Sequence, residues 1–207
     1  MSNAAFQTTK LPIMEAFYTI QGEGHHTGKA AYFVRIAGCD VGCVWCDVKE
    51  SWDANLHTSF SIEHIVAEAE KHPARLVVIT GGEPLMYNLD LLCEAFHAKG
   101  FKTHLETSGA YPLSGVWDWI CLSPKKFKDP LPEVLAACDE FKPVIFHVSD
   151  IKWAENFVPL VKKKEANLFL QPEWSKQDAL LPLIIDYIKE HPQWQMSLQT
   201  HKYMNIP

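Results

Sequence analysis

The sequence predicts an α/β fold: a partial or compacted (β/α) barrel on a mainly parallel sheet, in one domain covering residues 1–207. Three observations lead there. Beyond residue 30, short apolar β-like runs alternate with amphipathic helical segments, the pattern of a parallel sheet covered by helices. No linker, low-complexity tract or strong repeat divides the chain. Its 207 residues can bury one sizeable core, yet a full eight-stranded barrel typically takes about 250.

Taken in order, residues 13–20 read as a strand that ends in the turn-like Gln21-Gly22-Glu23-Gly24, where glycines permit close backbone approach to a ligand. Residues 31–36 (AYFVRI) form the next strand. Alternation puts Phe33 and Arg35 on one face, opposite Tyr32, Val34 and Ile36. Ser61 can cap a helix whose Ile62, Ile65, Val66 and Ala69 recur at helical spacing. The buried-strand pattern 75–80 (RLVVIT) runs into Gly81-Gly82. Asn88 can cap the following helix and Gly100 can end it. Further strands are predicted at 101–106, 119–122, 144–148, 167–171 and 195–199, with helices at 151–163 and 176–190.

Charge and composition exclude several classes. A formal net charge of −6 argues against a large nucleic-acid surface, which needs clustered positive charge. Lys125, Lys126 and Lys128 are a local basic run, and 162–164 reads as a solvated helix face. The opening residues 1–10 are polar, so no secretory leader is expected. The apolar run 180–185 is too short to span a bilayer and contains Pro182. The expectation is a soluble, cytoplasmic protein. Of six cysteines, Cys93, Cys121 and Cys138 are scattered and read as small buried hydrophobes.

The other three are crowded. Cys39, Cys43 and Cys46 stand directly after a strand, with Gly38 and Gly42 allowing a tight loop. Thiolates are soft ligands suited to zinc or iron–sulfur clusters. Structural zinc and ordinary electron-transfer clusters usually take four protein ligands, whereas three leave one metal position open. A zinc-binding module using Asp47 or a histidine as fourth ligand stays open at this point.

The CxxxCxxC loop resembles that of the radical S-adenosylmethionine (SAM) superfamily, and Thr80-Gly81-Gly82-Glu83-Pro84 resembles its GGEP motif in the matching position. The resemblance implies the radical SAM type of barrel and a 4Fe-4S cluster on Cys39, Cys43 and Cys46. It also implies SAM on the fourth iron, cleaved on reduction to a 5′-deoxyadenosyl radical. The narrower resemblance is to the 7-carboxy-7-deazaguanine synthases. It is carried by Gln21-Gly22-Glu23-Gly24, by residues 33–39, and by Trp45-Cys46-Asp47. Glu106-Thr107-Ser108-Gly109, Ser123-Pro124-Lys125, Gln171-Pro172 and Gln199-Thr200-His201-Lys202 extend it over nearly the whole chain. It implies a lyase that converts 6-carboxy-5,6,7,8-tetrahydropterin to 7-carboxy-7-deazaguanine and ammonia by radical ring contraction, on the route to queuosine and other 7-deazapurines. A homodimer, a magnesium ion and an external one-electron reductant such as flavodoxin are implied with it.

Residue roles follow from the same resemblance. Arg35 would pair with the substrate carboxylate, a two-pronged contact that suits guanidinium. Ile20, Gln21, Gly22, Glu23 and Thr80 would frame the pterin, with His201 and the terminal carboxylate of Pro207 reaching it. SAM would lie against Trp45, Cys46, Asp47, Gly82, Glu83, Ser108, Ser123, Pro124, Lys125, Gln171, Pro172, Glu173 and Trp174. Glu83 would accept from the methionyl ammonium, and Lys125 would neutralise its carboxylate. One departure concerns magnesium. Many of these synthases carry Cys-Asp-Thr where this chain has Cys46-Asp47-Val48, and valine offers no side-chain oxygen to a hard cation. A glycyl-radical activating enzyme shares the cysteine spacing and is the alternative radical reading. It needs neither Gln-Gly-Glu-Gly nor Thr-His-Lys.

Overall fold

In the computed structural model, which describes residues 8–207, β1 (Lys10–Ile20) runs antiparallel to β2 (Ala30–Ile36). Residues 1–7, part of the polar opening stretch, lie outside the described residues. The chain continues through β3 (Ser59–Ser61), α1 (Ile62–Glu70), β4 (Leu76–Gly81), α2 (Asp90–Ala98), β5 (Lys102–Thr107) and β6 (Trp119–Leu122). It ends through α3 (Pro132–Ala137), β7 (Glu140–Phe141), β8 (Val144–Ile145), α4 (Ser149–Glu155), β9 (Asn167–Pro172), α5 (Gln177–Glu190), β10 (Trp194–Met196) and α6 (Thr200–Met204).

The strands form one sheet in the order β10-β9-β7-β6-β5-β4-β2-β1-β3, with β8 beside β9. All pairings are parallel except those of β1 with β2 and β3. The sheet stays open, since β10 and β3 are its two ends. A mainly parallel, unclosed α/β sheet is the predicted class.

Alternation sorts the two faces as expected. Tyr32, Val34 and Ile36 join the main core with α1 and α2 residues, including Ile62, Ile65, Val66 and Phe96. Ala31, Phe33 and Val78 pack with Phe17 and Leu76 on the opposite, inner face. Ser61 caps α1 by accepting from His64 N at 3.3 Å. Asn88 accepts from Asp90 N at 3.0 Å, and Gly100, at φ +73°, donates to His97 O at 2.9 Å and closes α2.

Three stretches differ from the sequence reading. The predicted strand 144–148 is strand only over Val144–Ile145, and a separate β7 precedes it. Pro143 between them lacks an N–H and interrupts the ladder. Residues from Ser149 are helical, because Asp150 gathers the Phe146 and His147 amides at 2.9 Å each and starts α4. The predicted helix 151–163 stops at Glu155 and gives way to a 3-10 turn, Val158–Leu160, around Pro159. The predicted strand 195–199 ends at Met196, and α6 begins at Thr200. No helix among the described residues is long and apolar enough to cross a membrane.

Candidate active site

The strand register builds the inner face in layers. Phe33, Val78, His104 and Trp119 are consecutive cross-strand neighbours and form a lower row. Two residues further along the strands come Arg35 beside Thr80, and Glu106 beside Cys121 beside Glu140. The turn Gly24–His26 lies against the lower row: His25 stacks on Trp119 at 4.6 Å and His26 sits 5.1 Å from His104. Neither ring nitrogen of His104 has a partner among the described residues. Burial holds His104 well below its ordinary value and, helped by Lys29 and His25, pulls His26 down to about 4. The lower row is thus an uncharged floor.

At the C-terminal ends of β2, β4, β5 and β6 the loops converge on one cavity, where parallel α/β folds ordinarily place their sites. Cys39, Cys43 and Cys46 all line it, and all are free. The cysteine loop is tied down on both sides. Gly38 N donates to Ser51 O at 2.6 Å and Cys39 N to Trp52 O at 3.2 Å, while Glu83 N reaches back to Gly38 O at 2.8 Å. Gly82 has to be glycine here: a Cβ would stand 2.3 Å from Gly38 O and 2.8 Å from Cys39 Cβ. Burial pushes the Cys43 thiol up to about 11, opposed by the nearby Lys125 charge. No three His, Cys, Asp or Glu side chains among the described residues converge on a single-ion site; the thiols instead surround the cavity. Three free thiols on a preformed loop, lining one cavity with Gly82, Ser108 and Ser123, fit a polynuclear iron–sulfur cluster with a ligand beside it.

Most of the residues expected at SAM line this cavity: Trp45, Cys46, Asp47, Gly82, Ser108, Ser123, Lys125, Gln171, Glu173 and Trp174. Pro124 and Pro172 do not, and neither does Glu83. Glu83 is set back behind the cavity wall. Its carboxylate is 1% exposed and already saturated: Oε1 accepts from Leu85 N (3.0 Å) and Thr107 Oγ1 (2.5 Å), and Oε2 from Ser108 N (2.8 Å) and Ser108 Oγ. It stands behind the loops and joins the β4 end to the β5 end, with no lone pair left for an ammonium. Lys125 Nζ donates to Ser123 O and Oγ at 2.7 and 2.6 Å and lies 5.5 Å over the Trp45 ring.

The residues expected at the pterin also gather here: Ile20, Gln21, Gly22, Glu23, Arg35, Thr80, His201 and Pro207. Arg35 is held by its Nε donating to Glu15 Oε1 at 2.6 Å, which leaves its two terminal nitrogens unbonded among the described residues. The tail is docked. Thr200 N and Oγ1 both donate to Gly22 O at 2.9 Å, and a Cβ on Gly22 would stand 2.4 Å from His201 Nδ1. Val48 and Asp47 line the cavity too. Val48 O accepts from Ser51 Oγ at 2.7 Å, and Asp47 pairs with Lys202 at 3.0 Å. Sequence reasoning missed Phe17, Gln199 and the role of Glu106, which line the same space, and Lys142 behind them. Glu106 was visible inside Glu-Thr-Ser-Gly; Lys142 gave no signal until β7 set the alternation Glu140-Phe141-Lys142.

Comparison with known proteins gives concordant results. The Radical SAM superfamily model matches residues 33–147. A 7-carboxy-7-deazaguanine synthase of Flavobacterium psychrophilum is 54% identical, over 95% of this chain and 93% of its own. Those of Synechocystis and Escherichia coli K12 are 44% and 34% identical, over 96% and 94% of this chain and 95% and 98% of theirs. The crystal structure of QueE from Escherichia coli aligns with a TM-score of 0.81 at 30% identity, covering 91% of this chain and 93% of that one.

Proposed function

The chain belongs to the radical SAM superfamily and, within it, to the 7-carboxy-7-deazaguanine synthases, and on that premise we propose how its own residues serve the reaction. It is a radical SAM lyase that forms 7-carboxy-7-deazaguanine for 7-deazapurine biosynthesis, with a 4Fe-4S cluster and SAM as cofactors. Cluster and SAM together supply the one-electron radical chemistry that starts the ring contraction. The zinc-module and glycyl-radical readings give way to this membership.

Cys39, Cys43 and Cys46 hold the cluster. Gly82 lets the loop backbone approach the methionyl end of SAM, Ser108, Ser123 and Lys125 meet its polar groups, and Trp45 and Gln171 to Trp174 flank the rest. The substrate carboxylate takes the two terminal nitrogens of Arg35, whose plane is fixed by Glu15. Phe17 and Phe33, stacked at 5.4 Å, form an apolar wall beside it. Glu23 and Glu106 accept from N–H groups of the pyrimidine edge. Helix α6 and Pro207 cover the substrate, so that a reactive species is kept from water and aimed at one position. Asp47 is the oxygen ligand we assign to magnesium, bound weakly because Val48 contributes none. A homodimer, a flavodoxin-like reductant, cytoplasmic location and independence from nucleic acid complete the proposal.

The observation that carries the reading is one cavity lined both by three free thiols and by half-buried Arg35 together with Glu23 and Glu106. The test is anaerobic turnover of reconstituted enzyme with SAM, reductant, magnesium and 6-carboxy-5,6,7,8-tetrahydropterin, with products read by mass spectrometry. Formation of 7-carboxy-7-deazaguanine supports the reading; 5′-deoxyadenosine without it would overturn the substrate assignment.

A further inference from the structure

Lys142 is a fully buried charged side chain of the inner face, 1% exposed. Its Nζ donates to Glu23 Oε2 at 2.6 Å and lies 3.8 Å from Glu106 Oε2. Glu140, two residues earlier on the same face, is buried as well and accepts from Trp119 Nε1 at 3.1 Å and His25 N at 3.2 Å. One lysine therefore serves two carboxylates, with a third, Glu140, buried beside them. Lys142 does not line the cavity, whereas Glu23 and Glu106 do.

We propose that Lys142 is a positioning residue whose buried charge keeps Glu23 and Glu106 together as two carboxylates at the substrate end, so that this end selects a ligand edge carrying N–H donors. The proposal rests on the pterin reading of the cavity. Two carboxylates at one site without a counter-charge do not both stay ionised, and the proton they share removes an acceptor. Lys142 prevents that, and the amides complete the geometry: Gln21 Nε2 donates to Glu106 Oε1 and Gln199 Nε2 to Glu23 Oε1, each at 2.9 Å. Burial works against the Glu23 charge, yet Lys142, Gln199 and Gln171 bring it down to about 2. Of the surrounding groups, burial pushes Glu140 and Cys121 up, the former opposed by Lys142, and pushes His201 down.

The experiment compares wild-type enzyme with K142M, K142R and the charge-balanced K142M/E106Q. Each is reconstituted with cluster and SAM but left unreduced, so the pterin binds without turnover. Calorimetry then gives its dissociation constant from pH 6 to 9. Wild type and K142R should bind with a flat profile. K142M should bind more weakly at low pH and recover by roughly tenfold per pH unit toward alkaline pH, as expected for loss of one proton. K142M/E106Q, which keeps the charge balance should K142M not fold, should show the same limb, because Glu23 is then buried without a counter-charge. Infrared spectra should show a protonated-carboxyl band at neutral pH in K142M and K142M/E106Q, missing from wild type and K142R. A flat binding profile in the methionine variants, no new carboxyl band, or failure of K142R to restore wild-type behaviour would overturn the proposal. If wild-type enzyme does not bind the pterin, the functional reading fails, and the infrared comparison still decides the role of Lys142.

Discussion

Replacing Glu83 by glutamine changes one oxygen to an amino group and removes one charge, with almost no change in volume. Four donors converge on the carboxylate, two per oxygen. Whichever way the amide turns, two donors face an N–H group and lose their acceptor. A hydrogen bond to a charged group contributes about 1.5–3 kcal/mol net, so two lost bonds cost about 4 kcal/mol. At roughly 2–4 °C per kcal/mol for a domain of this size, the melting temperature should fall by about 10 °C. Thermal unfolding of the cluster-free protein followed by circular dichroism measures this directly. Because the lost bonds join the β4 and β5 ends, the glutamine variant should also bind SAM more weakly without Glu83 touching it. A shift below about 3 °C, less than one such bond is worth, would refute the reasoning.

Four further outcomes follow from other residues. Gly82→Ala forces a Cβ to within 2.3 Å of Gly38 O, so it should displace the cysteine loop and lower bound iron and sulfide per chain; normal cluster content would contradict the packing. Arg35→Ala should leave cluster content unchanged while reducing turnover by about a hundredfold or more, the loss of a buried charge-assisted contact of about 3 kcal/mol; equal loss of both would sink its substrate role. Acid should destabilise the fold between 6.5, where the unfolded chain's histidines protonate, and about 4, where native His26 does. The unfolded state binds more protons throughout that window, so stability is lost as the pH drops through it, and His104→Phe should flatten the slope measured by denaturant titration at pH 5 and 7. Val48→Thr should make turnover more responsive to magnesium and to chelator than the wild type, because a hydroxyl adds a hard ligand beside Asp47; an unchanged magnesium titration would count against the assignment at that position.

Much of the scaffold was legible because local pattern and tertiary outcome agree. The alternation of residues 31–36 gave both faces of β2 correctly, Ser61 and Gly100 do bound helices, and the cysteine loop and Gly81-Gly82 sit where their spacing placed them. What escaped depends on partners distant in sequence. The pair Glu140-Phe141 is too short to show a period, and becomes a strand only between β6 and β9. Val144 to Val148 looked like one apolar run, but Pro143 and the Asp150 bonds to two amides divide it. Glu83 is conspicuous in its motif, while its four donors, supplied mainly by Thr107 and Ser108, have no local signal. Lys142 carries no local sign of burial, since its carboxylates come from positions 23 and 106.

The central claim is that one cavity brings the cluster, SAM and the pterin together, and an anaerobic crystal structure of the enzyme with all three bound tests it most directly. The account predicts irons on Cys39, Cys43 and Cys46, the methionyl group of SAM against Gly82 and Ser108, and the pterin between Phe33 and α6. Its carboxylate should lie on Arg35 and its ring edge on Glu23 and Glu106. A pterin bound outside this cavity, or a cluster held by any other set of residues, would contradict it.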